Sequence, residues 1–389
     1  MLSKIILWLG MGLALTASNA SPAQAQAERS FSMGFTDYSH DLITEPGAWD
    51  QTARTVNQLG DLLVIHEEES VPWTEALANR PDLYHPEYLK FIQHRATRRY
   101  GMTPNHKVFL YLNVLNMARD GIAGYRGERD GMPLPAPFDS QKTSFSDSRV
   151  VNAFVNHASF MIWAFRPSYF AYGIEANMLL SNIRAGRVNP EVWQEFVVGS
   201  YQIYLLLKQK YPSLPIFISI QIDEFNQDRA FQTEGLKYLM PITDLIAVSS
   251  YAYGHGYRGY NLPADYFTAV RALDPSKKYA VAETGWPGEP VFYPDPLPAG
   301  QQPLYYLESN AFDQLLYVDR LLKEAVANDA EFVDWFVVRD YDRAWDRQFK
   351  DLPNAWLLRL WRDIGLLDGN GLRRWSFRTW AAYLSRPRK

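Results

Sequence analysis

Short apolar runs recur along the chain, separated by polar breaks. They cover residues 31–39, 61–66, 107–116, 169–175, 215–223, 245–251, 278–283 and 332–339. Each is rich in β-branched or aromatic side chains, the pattern of buried strands. Segments of helical spacing lie between them. The clearest is 192–210, which stops just ahead of Tyr211-Pro212. Another is 310–327, where Phe312, Leu315, Leu316, Val318, Leu321 and Leu322 recur at helical intervals. Eight alternations of strand and helix predict parallel strands with right-handed crossovers, and eight such units close into a (β/α)8 TIM barrel, an α/β fold. The alternative is an open doubly wound sheet. That fold usually shows a glycine-rich phosphate turn after an early strand, and the first strand here, FSMGFTDYSHD, has none. No repeat or break in composition marks a second domain, so residues 28–389 are expected to form a single barrel domain.

Two connections are long. Residues 119–150 follow the third strand and are rich in Gly, Asp, Ser and Pro; residues 287–310 follow the seventh and contain Pro287, Pro290, Pro294, Pro296, Pro298 and Pro303. Loops after the strands build the active face of such a barrel, so both are expected to be cleft walls.

The start of the chain changes the picture of where the barrel works. Lys4 precedes an apolar stretch, 5–17, that is too short to span a bilayer comfortably, and Ala23, Ala25 and Ala27 form small-residue cleavage patterns. A signal peptide, residues 1–27, is expected, with the mature chain secreted or periplasmic; an uncleaved anchor is the alternative. The chain has no cysteine. Disulfides, thiolate metal sites, cysteine nucleophiles and a lipid-modified cysteine are thereby excluded. A net charge of -4 gives no electrostatic case for nucleic acid. Aromatic residues make up 15% of the chain. They either fill a large core or line a cleft with flat faces of the kind sugar rings favour.

Two of the predicted strands end in a glutamate: YFAYGIE closes on Glu175 and YAVAE on Glu283. By the two-residue period Glu175 shares a face with Gly173, Ala171 and Tyr169, and Glu283 with Val281 and Tyr279. Both are therefore expected to point into the barrel mouth, where a carboxylate is costly unless bonded or functional. One alternative is that each merely pairs with an arginine across the barrel. Two carboxylates facing across a cleft are what cleavage of a glycosidic bond requires. One protonates the leaving oxygen, and the other attacks the anomeric carbon or activates water.

The order of elements, the glutamates ending strands four and seven, and ETGWP at Glu283–Pro287 resemble the clan A glycoside hydrolases, retaining enzymes on the TIM barrel. ETGWP resembles the strand-seven signature of the family 53 endo-galactanases and the Glu-Ser-Gly-Trp-Pro of the family 17 β-glucanases. The resemblance implies Glu283 as nucleophile and Glu175 as acid/base. It further implies a strand-six tyrosine bonded to the nucleophile, which Tyr251 matches best and Tyr253 next. Trp286 can stack on a sugar face or anchor the proline-rich loop.

The pattern departs from that clan in two places. The clan's asparagine before the acid/base, which contacts the sugar 2-hydroxyl, is Ile174 here, leaving Asn177 or Asn113 to substitute. Its tryptophan at the end of strand eight is also missing, and Arg339 and Asp340 stand there, with Trp345 further on. They can bind sugar hydroxyls or form a salt bridge that closes the barrel. After strand two comes HEEES, in which Glu68 is a minor candidate for sugar binding; His66 and His255 have no nameable partner, no HExxH occurs, and no metal is expected. Lys107 and Lys278 lie at strand starts, the wrong end for an aldolase. The sequence thus reads as a monomeric, cofactor-free retaining glycoside hydrolase that cleaves a poly- or oligosaccharide. The competing reading is a barrel with impaired catalysis that binds an envelope or extracellular glycan.

Overall fold

In a computed structural model, which describes residues 28–41, 45–67, 70–139, 142–298 and 300–389, eight parallel strands form a closed barrel. The strands are β1 (Ser32–Thr36), β2 (Leu62–His66), β3 (Lys107–Tyr111), β4 (Tyr169–Gly173), β5 (Ile216–Gln221), β6 (Leu245–Ser250), β7 (Lys278–Thr284) and β8 (Phe332–Val337). They pair in chain order, and β8 closes against β1. The expected signal peptide, residues 1–27, lies outside the described residues. Among the described residues no helix is long and apolar enough to cross a membrane.

The predicted helices are present with small changes at their ends. The helix expected at 192–210 is Glu191–Lys210, and that expected at 310–327 is Ala311–Ala327. Asn310 caps the latter, its side-chain oxygen accepting from the amides of Phe312 and Asp313. The alternation fails once: only two 3₁₀ turns, Ala252–His255 and Ala269–Leu273, join β6 to β7. The preceding stretch, YGHGYRGYNLPADY, has Gly and Pro where a helix would need a repeating apolar face. The start of the described barrel also meets the C-terminal segment. Arg29 donates its amide to Pro387, Lys389 returns one to Arg29, and the Arg29 guanidinium pairs with Asp61 at 2.6 Å.

Inside the barrel, Leu62, Val64, Phe109, Tyr169, Ala171, Phe217, Leu245, Ala247, Ala280, Ala282 and Phe332 fill the lower layers. Phe109 packs on Phe332 at 4.9 Å and on Phe217 at 5.4 Å between ring centroids. The barrel floor is therefore a packed aromatic plug, not a pore, and chemistry is confined to the mouth.

One inward position on β8 is acidic. Asp334 follows Phe332 by two residues and is fully buried, with the Thr36 hydroxyl donating to Oδ2 at 2.9 Å. Loss of water on burial pushes its carboxyl well above the usual aspartate range; the Thr36 bond opposes this, and the Glu283 charge adds to it. Folded Asp334 thus keeps a proton that the unfolded chain releases near pH 4. Above that pH the unfolded state binds fewer protons, so stability falls as pH rises until the folded carboxyl itself titrates, by at most about 1.4 kcal/mol per pH unit. Asp334→Asn, which cannot ionise, is expected to flatten the decline in urea midpoint over about pH 5 to 8. Equal slopes for parent and variant would refute this reading.

Candidate active site

Glu283 reaches the mouth by a route that strict alternation does not provide. On β7, Ala280 and Ala282 face the barrel interior, whereas Tyr279 and Val281 pack outward among the helices. Continued alternation would turn Glu283 outward. Instead the register against β6 slips between Val248 and Ser249, so that Ser249 pairs with Glu283. Ala282 and Glu283 consequently both face inward, and Thr284 returns outward to meet the Tyr317 hydroxyl at 2.7 Å. The expectation that Glu283 shares the inner face with Val281 and Tyr279 is corrected by this bulge.

β4 repeats the device. Its register against β5 slips between Ala171 and Gly173. Ile174 joins the inner cluster, and Glu175 follows it into the mouth with a left-handed backbone, φ 51°. Such a conformation costs a non-glycine residue roughly 1–2 kcal/mol. Neighbouring side chains hold it. Asn113 accepts from the Ile174 amide at 3.0 Å, Ser219 Oγ accepts from the Glu175 amide at 2.9 Å, and the Arg119 Nε donates to the Ile174 carbonyl at 2.9 Å. At about 0.5–1.5 kcal/mol net per bond, three such bonds outweigh the backbone cost.

The carboxylates then sit in the upper layer on strands separated by β5 and β6, with Ser249 of β6 between them. Ser249 Oγ donates to Glu175 Oε1 at 2.7 Å, and Arg119 donates to Oε2 at 3.3 Å. Tyr251 donates its phenol hydrogen to Glu283 Oε1, and His66 Nδ1 lies 3.5 Å from Oε2. Glu175 stays partly open, at 13% exposed, whereas Glu283 is nearly buried, at 8%, with its Oε2 covered.

Each partner is itself positioned. Asp223, just past β5, accepts from the Tyr251 amide at 2.8 Å and from the Gln221 side chain at 2.8 Å. Gly285 leaves room for the Tyr251 ring: a Cβ there would stand 2.7 Å from Ile364 Cδ1 and 3.4 Å from Tyr251 Cε1. His66 is stacked between Tyr111, at 4.9 Å, and Tyr38, at 5.7 Å. Buried Arg95 fixes the chain below, bonding Asp37, Glu67 and the His66 carbonyl. Phe336 and half-buried Trp361 complete an aromatic wall, with Trp361 6.1 Å from both Phe336 and Tyr251.

The other residues expected from the sequence fall into several groups. Asn113 is at the site, bonded to the backbone ahead of Glu175, and its buried Nδ2 has no partner among the described residues. Asn177 is not available to a sugar: it is fully buried and bonds both the amide and carbonyl of Gln221 and the Gln232 side chain. Trp286 is corrected from a stacking platform to a loop anchor. It is fully buried, donates to Ser309 at 2.9 Å, and packs on Tyr317 and Tyr253. Tyr253 is buried with it and donates to the Leu360 carbonyl, away from Glu283. Arg339 and Asp340 take the structural alternative, Arg339 bonding His40 and the Gly369 carbonyl, Asp340 bonding Arg374 and the Gly365 amide. Trp345 is buried beneath the loop, donating to the Asp295 carbonyl. Glu68 lies outside the described residues. Among the described residues no cluster of His, Asp and Glu could hold a metal ion.

Sequence reading missed Arg119, Ser219, Ser249, Tyr111 and Trp361. Ser219, Ser249 and Tyr111 were findable: each stands an even number of residues above an inward aromatic or aliphatic residue at the top of its strand. Trp361 has no local signal, since it arrives from a segment well beyond β8.

No protein-family model matches the sequence, and no curated protein does. Solved structures do match. One is a GH5_18 protein from Streptomyces cattleya in complex with GlcNAc, 16% identical, the alignment covering 93% of this chain and 83% of that one, with a TM-score of 0.61. Another is a GH5_18 variant from Bifidobacterium longum subsp. longum ATCC 55813 in complex with Manβ1-4GlcNAc, 12% identical, covering 93% and 80%, TM-score 0.60. A third is an exo-β-1,4-mannosidase from Opitutaceae bacterium strain TAV5, 12% identical, covering 93% and 61%, TM-score 0.58. None of the three bears the family 53 or family 17 label that ETGWP suggested. At these identities the likeness establishes the fold, a single-domain TIM barrel shared with glycosidase-type neighbours.

Proposed function

We propose that the protein is a glycoside hydrolase that cleaves β-linked sugars with retention, Glu283 as nucleophile and Glu175 as acid/base. The observation that carries this is the convergence of two carboxylates on one mouth, joined through Ser249, which pairs with Glu283 and donates to Glu175. Glu283 attacks the anomeric carbon while Glu175 gives its proton to the leaving oxygen. Glu175 then takes a proton from water, which displaces Glu283 from the sugar. The Tyr251 hydroxyl holds the nucleophile in one orientation. The Asn113 amide, free on its Nδ2 among the described residues, takes the place of the residue missing at Ile174 and faces a sugar hydroxyl. The ligands of the matching structures support a mannosyl or N-acetylglucosaminyl oligosaccharide as the first substrate class to try. Export as a monomer to the periplasm or medium is part of the proposal and rests on residues 1–27.

A second reading has one observation in its favour. Arg119 occupies Glu175 Oε2, and the guanidinium must release that oxygen before Glu175 can reach a glycosidic bond. A barrel frozen in that arrangement would bind glycans without cutting them. Turnover of a panel of aryl β-glycosides separates the two. The hydrolase reading expects Glu283→Gln to lose at least about 10³-fold in kcat. Glu175→Gln should lose least on substrates with the best leaving groups, and proton NMR should show the first-formed sugar as the β-anomer. Binding without turnover in the parent would establish the alternative.

Two tryptophans test the location of the sugar. Trp361→Ala is expected to raise KM for an oligosaccharide about tenfold, roughly 1.4 kcal/mol, with little change in thermal midpoint. Trp286→Phe is expected to do the reverse, lowering stability by about 1–3 kcal/mol through its lost buried bond while KM stays within twofold. An unchanged KM in Trp361→Ala would remove it from the site.

A further inference from the structure

A cavity of about 660 Å³ lies outside the two-glutamate mouth, and neither glutamate lines it. Its walls come from three places: the loop after β3, residues 142–145, and the start of the helix Glu191–Lys210. Its size falls within the roughly 300–1,000 Å³ of small-molecule sites, enough for more than one sugar ring. Its surface is mixed. Ile122, Met132, Leu134 and Phe145 provide apolar faces, and Asn116, Asp120, Thr143, Asn189, Glu191 and Glu195 provide bonding groups at the rim. Apolar patches flanked by hydroxyl-bonding groups suit a sugar, which has both. Three carboxylates, Asp120, Glu191 and Glu195, face one ammonium, Lys142. That balance disfavours uronic or sulfated sugars and suits neutral or amino sugars.

One turn belongs to both the cavity and the mouth. Asn116 and Asp120 line the cavity and bond each other, Asn116 Nδ2 donating to Asp120 Oδ1 at 2.6 Å and the Asp120 amide returning to Asn116 Oδ1 at 3.1 Å. Between them Arg119, with φ 55°, turns the other way. Its guanidinium donates to the Asn116 and Met117 carbonyls and to Glu175. Asn182 fixes the turn from below, donating to the Ala118 and Arg119 carbonyls at 2.9 Å each. The cavity is thus on the Glu175 side of the mouth, where a leaving group departs.

We propose that this cavity binds the sugar units on the leaving side of the scissile bond, taken from a neutral or amino-sugar oligosaccharide, and that a ligand in it braces the turn carrying Arg119. The inference rests on the hydrolase reading for its direction, and its test does not need turnover. In a Glu283→Gln background, β-1,4-linked manno- and gluco-oligosaccharides of two and six units are titrated by calorimetry. Leu134→Trp, which fills the cavity, is expected to weaken six-unit binding at least tenfold and two-unit binding less than twofold. Glu195→Arg serves as a second variant should Leu134→Trp fail to fold, with the same expectation. Equal losses for both lengths, no loss for either, or no binding of any six-unit chain by the parent would overturn the proposal. Length-dependent binding with no hydrolysis by the unmutated chain would retain the cavity as a glycan site and reject the hydrolase.

Discussion

The upper layer of this barrel depends on two interruptions of β-sheet alternation. A strand offers one inward residue in two. β4 and β7 each place two consecutive residues inward, Ile174 with Glu175 and Ala282 with Glu283. In both pairs the first residue belongs to the apolar plug and the second to the mouth. A slip of one residue thus lets a strand finish the packed floor and still present a carboxylate directly above it. Bulges beside active sites commonly re-aim a side chain in this way. The cost is local. Around Glu175, Asn113, Ser219 and Arg119 bond the irregular backbone and offset it; around Glu283, Tyr251 bonds the carboxylate itself, and Asp223 holds the Tyr251 amide.

The same slips explain how sequence and structure compare. All eight strands were legible because fully buried parallel strands are nearly continuous apolar runs, and their ends were misplaced by only a few residues. Glu175 and Glu283 were also legible, since a carboxylate ending such a run is conspicuous. Strict alternation is right about the face Glu175 shares with Ala171 and Tyr169 and wrong for Glu283: Val281 and Tyr279 face the helices, not the mouth. A bulge leaves no mark on composition, so only the register reveals it. Trp286 misled for a related reason. An aromatic next to a site residue is as easily a wedge beneath the loop, and Ser309 and Gln314 hold this one there from the following segment. Long-range partners such as Arg119 and Trp361 could not be assigned, because their positions follow from loop paths that local pattern does not encode.

The loop after β3 and the C-terminal segment flank the mouth and contribute different chemistry. The C-terminal segment supplies Trp361 and Ile364 to the walls around Tyr251 and Gly285, and is itself tied down by Arg359, which bonds Asp295 and Asp363. It therefore stabilises the Glu283 side of the mouth with aromatic surface. The loop after β3 supplies charge, through Arg119, to the side of Glu175. Aromatic faces grip a ring without a net charge requirement, whereas a guanidinium on a carboxylate changes what that carboxylate can do.

This asymmetry gives the Arg119–Glu175 pair a physical role that neither a purely structural nor a purely catalytic label describes. Buried at 3% exposure, Arg119 is held chiefly by main-chain carbonyls of its own turn, and its reach to Glu175, at 3.3 Å, is the longest of its bonds. Removing Glu175 would leave the guanidinium buried without its counter-charge, at a cost of several kcal/mol. Releasing Glu175 while the carbonyl bonds persist asks much less. A small displacement of the turn between Asn116 and Asp120 would then part the guanidinium from the Glu175 carboxylate. The turn is therefore the element whose position sets whether Glu175 is ion-paired.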